Sequence, residues 1–196
     1  MNSRPLDGKV ALVTGAGGTM GRAVVRALVD DGCRVALVDI AEAAMHAQVR
    51  DLGNRVVAVP CDIGDAGAVA AAHAIVIEAL GDVDVLVNNA GILSNNKLEA
   101  TTVDEWRRVL AANLDGAFFW SQAVVPAMKA RRWGRIVNTS SLAAKTGGLT
   151  AGTAYAVSKG ALGALTFSLA RELAAHGVRP TRSRRRTCGR RWSPSS

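Results

Sequence analysis

Tyr155 and Lys159 stand four residues apart in the run Tyr155-Ala-Val-Ser-Lys159. The apolar pattern that continues through Ala161, Leu162, Leu165, Leu169 and Leu173 predicts a helix. Residues four apart on a helix share a face, so the phenol and the ammonium can converge on one spot. A cation beside a phenol favours the phenolate. A phenol so tuned can give a proton to a substrate oxygen or take one from it. Taken alone, the pair equally describes a Tyr and a Lys on a solvated helix face. The elements that would position it decide between the two.

The first such element is the apolar run Lys9-Val10-Ala11-Leu12-Val13, which leads into Thr14-Gly15-Ala16-Gly17-Gly18-Thr19-Met20-Gly21. A helical pattern continues through Val24, Val25, Leu28 and Val29. Strand, glycine-rich turn and helix form the context in which such a turn holds a pyrophosphate: the glycines let the backbone approach it, and the N–H groups of the helix start bind the anion. An ordinary glycine-rich turn has the same composition. A second strand, Arg34-Val35-Ala36-Leu37-Val38, ends at Asp39, 18 residues after Gly21. A carboxylate there can accept hydrogen bonds from adenosine ribose hydroxyls and repel a 2′-phosphate, which favours NAD over NADP. It can also cap the helix that begins near Ala41.

Residues 41–52 read as a helix, Arg55 to Val59 as a third strand ending in Pro60-Cys61-Asp62-Ile63, and the segment after Asp65 as a helix through Val69, Ala72, Ile75, Val76 and Leu80. Asp84-Val85-Leu86-Val87 is a fourth strand, succeeded by Asn88-Asn89-Ala90-Gly91. A long helical region spans about 102–130, with Pro126 expected to bend it or end its regular part. Arg135-Ile136-Val137-Asn138 is a fifth strand running into Thr139-Ser140-Ser141. Strands alternating with helices predict an α/β fold: a doubly wound parallel sheet with helices on both faces.

At 196 residues with 49% hydrophobic content, the chain is sized for one domain with a full core. Cys33, Cys61 and Cys188 have no paired or metal-type spacing, and His46, His73 and His176 sit in no ligand motif. No metal is expected, and a reducing, cytoplasmic setting fits. The start is polar and no apolar stretch is long enough to span a bilayer, so no membrane role is expected. The net charge of +8 is local. Residues 179–196 hold seven arginines and no acid, leaving 17 basic against 16 acidic residues elsewhere. A global nucleic-acid reading from charge is therefore unjustified.

In combination these motifs resemble the short-chain dehydrogenase/reductase family, from about residue 6 to 179. Thr14, Gly15 and Gly21 match its glycine motif, with Thr19 in place of the middle glycine and Met20 beside it. Asp62-Ile63 matches the adenine-side acidic pair, residues 88–91 match Asn-Asn-Ala-Gly in full, and Asn113 matches the helix asparagine. Ser141 matches the catalytic serine at a spacing from Tyr155 one residue longer than usual, which keeps Ser140 open as the alternative. Tyr155 and Lys159 match the signature pair.

The resemblance implies a Rossmann-like domain over 1–178 and hydride transfer between a nicotinamide and an alcohol or carbonyl substrate. The nearest types are 3-oxoacyl-carrier-protein reductases and sugar or steroid dehydrogenases. Tyr155 would be the acid or base, Lys159 would tune it and hold the nicotinamide ribose, Ser141 would bond the substrate oxygen, and Asn113 would anchor a relay water. The cofactor would be held by Thr14, Gly15, Thr19, Met20, Gly21, Asp39, Asp62, Ile63, Asn89, Gly91, Tyr155 and Lys159. NAD is expected ahead of NADP. The helices at 102–130 and 153–176 would form a homo-oligomer face.

The family pattern stops after Gly177-Val178-Arg179. The segment beyond it has no apolar period and carries three consecutive arginines, Arg184 to Arg186. The expectation is a disordered arginine-rich tail over 179–196, arising from truncation or a shifted reading frame. A genuine basic arm for nucleic acid or acidic surfaces is the rival. About five strands in the order 3-2-1-4-5 would then remain, with the fifth as an exposed edge and the segment that sets substrate choice missing.

Overall fold

The computed structural model describes residues 6–185. Six strands form one parallel sheet: β1 (Val10–Thr14), β2 (Arg34–Asp39), β3 (Val56–Pro60), β4 (Val85–Asn88), β5 (Gly134–Ser141) and β6 (Val178–Arg185). Their order is β3-β2-β1-β4-β5-β6. The helices are α1 (Thr19–Asp30), α2 (Glu42–Leu52), α3 (Ala66–Leu80), α4 (Val103–Leu110), α5 (Gly116–Ala130), the short α6 (Ala143–Thr146) and α7 (Thr153–Leu173).

The strands read as continuous apolar runs because each serves two cores. Val10 and Leu12 of β1 face one cluster with Trp120, Val124 and Met128 of α5 and Leu173 of α7. Ala11 and Val13 face the other, with Val25 of α1 and Met45 of α2. The same alternation divides Ala36 and Val38 from Val35 and Leu37 in β2. A period of two with both faces covered leaves no polar position in the strand centre.

One expectation is overturned. Residues 178–185 form a strand in parallel register with β5, from Gly134↔Val178 to Ser141↔Arg185. So β5 is an interior strand, and the chain pairs with it as far as Arg185. The backbone pairing supplies what the side chains do not: Arg179, Thr181, Arg182 and Ser183 are exposed. Pro180 is tolerated because an edge strand needs only one row of N–H partners. Residues 186–196, the rest of the expected tail, lie outside the described residues.

The long helical region also differs in detail. It runs unbroken from 103 to 130 but contains a π-helical turn at Ala111–Asp115. Pro126 neither ends nor caps it. Pro126 and Gln122, the residue whose carbonyl loses its partner, are both exposed, so water can satisfy that group.

Candidate functional site

Two cavities open at the C-terminal ends of the strands, where ligands of open α/β sheets bind. One, of about 250 Å³, lies over the glycine turn and is lined by Gly15, Gly18, Met20, Gly21, Asp39, Asp62, Ile63, Asn89 and Gly91 among others. The second, of about 800 Å³, is lined in part by Thr19, Met20, Asn89, Gly91, Ser141, Tyr155 and Lys159. The two share Met20, Asn89 and Gly91. Together they make an elongated site whose ends differ.

The end over the turn is built by close approach. Gly15 has φ +66°, and a Cβ on it would stand 2.7 Å from Ala90 Cα. A Cβ on Gly21 would collide with the Gly15 carbonyl and come 2.8 Å from Ala16 Cα. Both glycines are therefore fixed by the packing of α1 and the β4 loop onto the turn. No side chain caps α1. Its first-turn N–H groups, which a helix cannot satisfy internally, remain for an anion. Asp39 supports the turn from the side: Oδ2 accepts from Gly17 N at 2.8 Å and Oδ1 from Ala41 N at 2.9 Å. No side chain caps α2, so the Ala41 contact is a local turn rather than a helix cap, and the second lone pair of each Asp39 carboxylate oxygen is left for the cleft.

Thr14 lies beneath the site. Its Oγ1 accepts from Asn89 N and Ala90 N at 3.1 Å, tying β1 to the end of β4. The Asn89 amide donates to the carbonyls of Thr14 and Gly15, while its buried Oδ1 has no partner within the described protein. An acceptor held unpaired where the two cavities meet is suited to a ligand donor. Asp62 accepts from Gly64 N, and Cys61 lines the cleft as a thiol that burial, then Asp62 and Asp65, push up to about 11. It stays protonated near neutral pH.

At the other end, Tyr155 occupies the first turn of α7, 8% exposed, and Lys159 is 4% exposed. Lys159 Nζ donates to the Thr139 carbonyl at 2.9 Å and lies 6.0 Å from the centre of the Tyr155 ring. The solvated helix face is thereby excluded for both. The two serines separate cleanly. Ser140 is buried and its hydroxyl donates to the Lys159 carbonyl; Ser141 lines the cavity and its Oγ accepts from Ala143 N.

Asn113 is brought near but not into either lining. Its Oδ1 accepts from Ile92 N at 2.7 Å, and its Nδ2 donates to the Ile92 carbonyl and to Ser158 Oγ. Ser158 in turn donates to the Tyr155 carbonyl. A Cβ on Gly91 would lie 2.9 Å from Asn113 Oδ1 and 3.1 Å from Lys159 Nζ, so Asn113, Gly91 and Lys159 pack as one layer. The π-helical turn is what swings Asn113 inward.

Sequence reasoning missed a second set of positioning residues. Glu105 accepts from Ser94 Oγ and Asn96 Nδ2. Those hydrogen bonds, Ser94 first and Asn96 second, hold its carboxyl below the ordinary carboxylate range. Lys97 Nζ donates to the Gly148 and Ala151 carbonyls, and Gly152 N and Thr153 N donate to the Ser94 and Asn96 carbonyls. The 92–97 loop thus fixes the N-terminus of the helix that carries Tyr155. The signal was Thr102-Val-Asp-Glu105, a helix-start pattern. Thr102 does cap Glu105 N, and the glutamate carboxylate, which also meets the Thr102 backbone, reaches out to the loop.

Comparison with known proteins bears on this arrangement. A family model described as short chain dehydrogenase matches residues 9–181. The chain is 42% identical over 172 residues to the short-chain reductase protein NovJ of Streptomyces niveus, covering 86% of this chain and 65% of that protein. It is 41% identical over 176 residues to galactitol 2-dehydrogenase (L-tagatose-forming) of Cereibacter sphaeroides, covering 89% and 69%. A crystal structure from Brucella melitensis, described as a short-chain dehydrogenase/reductase of glucose/ribitol dehydrogenase type, superposes with TM-score 0.85 at 28% identity, covering 94% of this chain and 77% of that one. The chain spans about two thirds of the length of these curated relatives. Among the described residues, no helix is long and apolar enough to cross a membrane, and no cluster of His, Cys, Asp or Glu could hold a metal ion.

Proposed function

Because this chain belongs to the short-chain dehydrogenase/reductase family, we propose that it is a nicotinamide-dependent oxidoreductase acting on an alcohol or carbonyl compound, with Tyr155 as general acid or base. The observation that carries the reading is that Ser141, Tyr155 and Lys159 line one cavity, joined through Met20, Asn89 and Gly91 to the cleft over the glycine turn. A dinucleotide fits the residues present: the uncapped start of α1 for its pyrophosphate, Asp39 and Asp62 in the adenosine-side cleft, and the unpaired Asn89 Oδ1 at the junction.

When bound, the reduced nicotinamide supplies the hydride that, with one proton, turns a carbonyl into an alcohol. The protein's part is to hold and protonate. Ser141 bonds the substrate oxygen and meets the charge that develops on it. Tyr155 gives its hydroxyl proton to that oxygen, and the cation of Lys159 steadies the phenolate that remains. Oxidation runs the same transfer backwards, with Tyr155 as base. Asn113 acts at one remove, through Ile92 and through Ser158 to the backbone of Tyr155.

Asp39 supports NAD over NADP, since its carboxylate faces the cleft where a 2′-phosphate would add like charge. The exposed Val103, Trp106, Phe118, Val157 and Phe167 on α4, α5 and α7 support pairing of two copies through these helices. The test is fluorescence titration with NADH and NADPH, and then initial rates with a panel of ketones and alcohols. Nucleotide binding with turnover is expected. Binding without turnover of any panel member would leave a nucleotide-binding protein and sink the enzymatic reading.

A further inference from the structure

The outer wall of the Tyr155 cavity is apolar. Leu93, Leu142 and Leu149 all line it, and they are 62%, 48% and 81% exposed. Leucines this open to water, lining one cavity, cost free energy that a ligand covering them would recover. They come from three separate segments, so no single amphipathic element explains their meeting. The wall is also held in place. Lys97 donates to the carbonyls of Gly148 and Ala151, on either side of Leu149, and Ser141 Oγ accepts from Ala143 N next to Leu142. Polar side chains line the cavity as well, Thr19, Asn89 and Thr139 among them beside Ser141 and Tyr155. Thr146 and Thr150 line it, and the Thr146 hydroxyl is engaged with the Leu142 carbonyl. Among the described lining residues the one fully charged side chain is Lys159, whose ammonium is drawn inward to the Thr139 carbonyl.

From this we infer that the substrate is an apolar ketone or secondary alcohol, its oxygen on Ser141 and Tyr155 and its hydrocarbon body against the three leucines; the inference rests on the oxidoreductase reading above. Those hydroxyls of a polyol that lie against the three leucines would lack partners, a cost that hydrogen-bonding sites avoid and apolar sites impose. Among the described side chains, a carboxylated or phosphorylated substrate would find no second cation in this lining. The chain would then differ in substrate class from the galactitol dehydrogenase to which it is similar.

The test separates binding from turnover. The environment-sensitive aryl ketone 2-acetyl-6-(dimethylamino)naphthalene serves as the fluorescent probe for the full chain, with and without NADH. Competitors are cyclohexanone and 2-octanone on one side, and galactitol and acetoacetate on the other. The expected result is probe binding displaced by the apolar ketones and not by the polyol or the keto acid. Leu149→Asp, at a position too exposed to endanger folding, should weaken the probe by about tenfold. Failure of the probe to bind, displacement by galactitol or acetoacetate as readily as by 2-octanone, or full affinity in Leu149→Asp would each overturn the assignment. Apolar displacement without hydride transfer from either nucleotide would support the apolar cavity and refute the oxidoreductase reading.

Discussion

Lys97 crosses from the loop after β4 to the loop before α7 and donates to the Ala151 carbonyl at 2.7 Å, with the Gly148 carbonyl taking a second hydrogen bond at 2.6 Å. One ammonium therefore sets the path of the chain immediately before the helix that bears Tyr155. Its neighbours Ser94 and Asn96 are anchored to Glu105 of α4, so the loop is itself fixed. Replacing Lys97 with Met keeps the apolar stem and removes both donors. The carbonyl-side KM should rise and kcat should fall, together lowering kcat/KM by about ten- to a hundredfold. NADH affinity, measured by fluorescence titration, should hardly move. An equal loss of nucleotide binding would mean that the loop supports the whole site rather than the substrate end.

Gly21→Ala tests the turn. The added methyl has no room between the Gly15 carbonyl and Ala16, whose Cα would be 2.8 Å away. Overpacking of this kind costs about 1–3 kcal/mol and shifts the backbone that should hold the pyrophosphate. Chemical denaturation and NADH titration should both register the change. Gly160 on α7 is the control, because a Cβ there meets nothing within 4 Å. Gly160→Ala should stabilise by about 0.5–1 kcal/mol through helix propensity alone.

Asp39→Ala addresses the nucleotide preference. The variant loses the acceptors of Gly17 N and Ala41 N along with the negative charge. NADH should bind about tenfold more weakly, and NADPH should lose less or gain. Parallel titrations with the two nucleotides give the answer. A fall of the same size for both would assign Asp39 to the turn alone.

His73 gives the chain an acid-sensitive contact. It packs edge-on against Trp120, with ring centres 6.2 Å apart, and burial holds its imidazole below the ordinary value of 6.5 while Asp82 pulls weakly the other way. A folded-state pKa below the unfolded one means the unfolded chain binds protons first as pH falls. Stability from this group is thus complete above about pH 6.5 and drains away below it. Melting temperature should drop between pH 7.5 and pH 5 by less in His73→Phe than in the native chain. Parallel curves for the two proteins would contradict this.

The sheet order was legible for a physical reason. Strands covered on both faces, such as β1 with Leu12 and Val13, must be apolar throughout, and each ends in the residues that line the site. The sixth strand was not legible, because an edge strand with exposed Arg179, Thr181 and Arg182 forms through backbone pairing that leaves no period in the sequence. Spacing did not separate Ser140 from Ser141, whereas strand alternation turns the neighbours to opposite faces, Ser140 to the Lys159 carbonyl of α7 and Ser141 to the cavity. The contacts of Asn113 were hidden for a different reason. Its amide reaches Ile92 and Ser158 from within a π-helical turn, and no composition signal marks that turn.

The central claim is that the Tyr155 hydroxyl carries the proton, and removing that one oxygen tests it most directly. Single-turnover mixing of NADH-loaded Tyr155→Phe with a ketone that the native chain reduces should show NADH bound as before and hydride transfer slowed by about a hundred- to ten-thousandfold. Undiminished hydride transfer in Tyr155→Phe would contradict it.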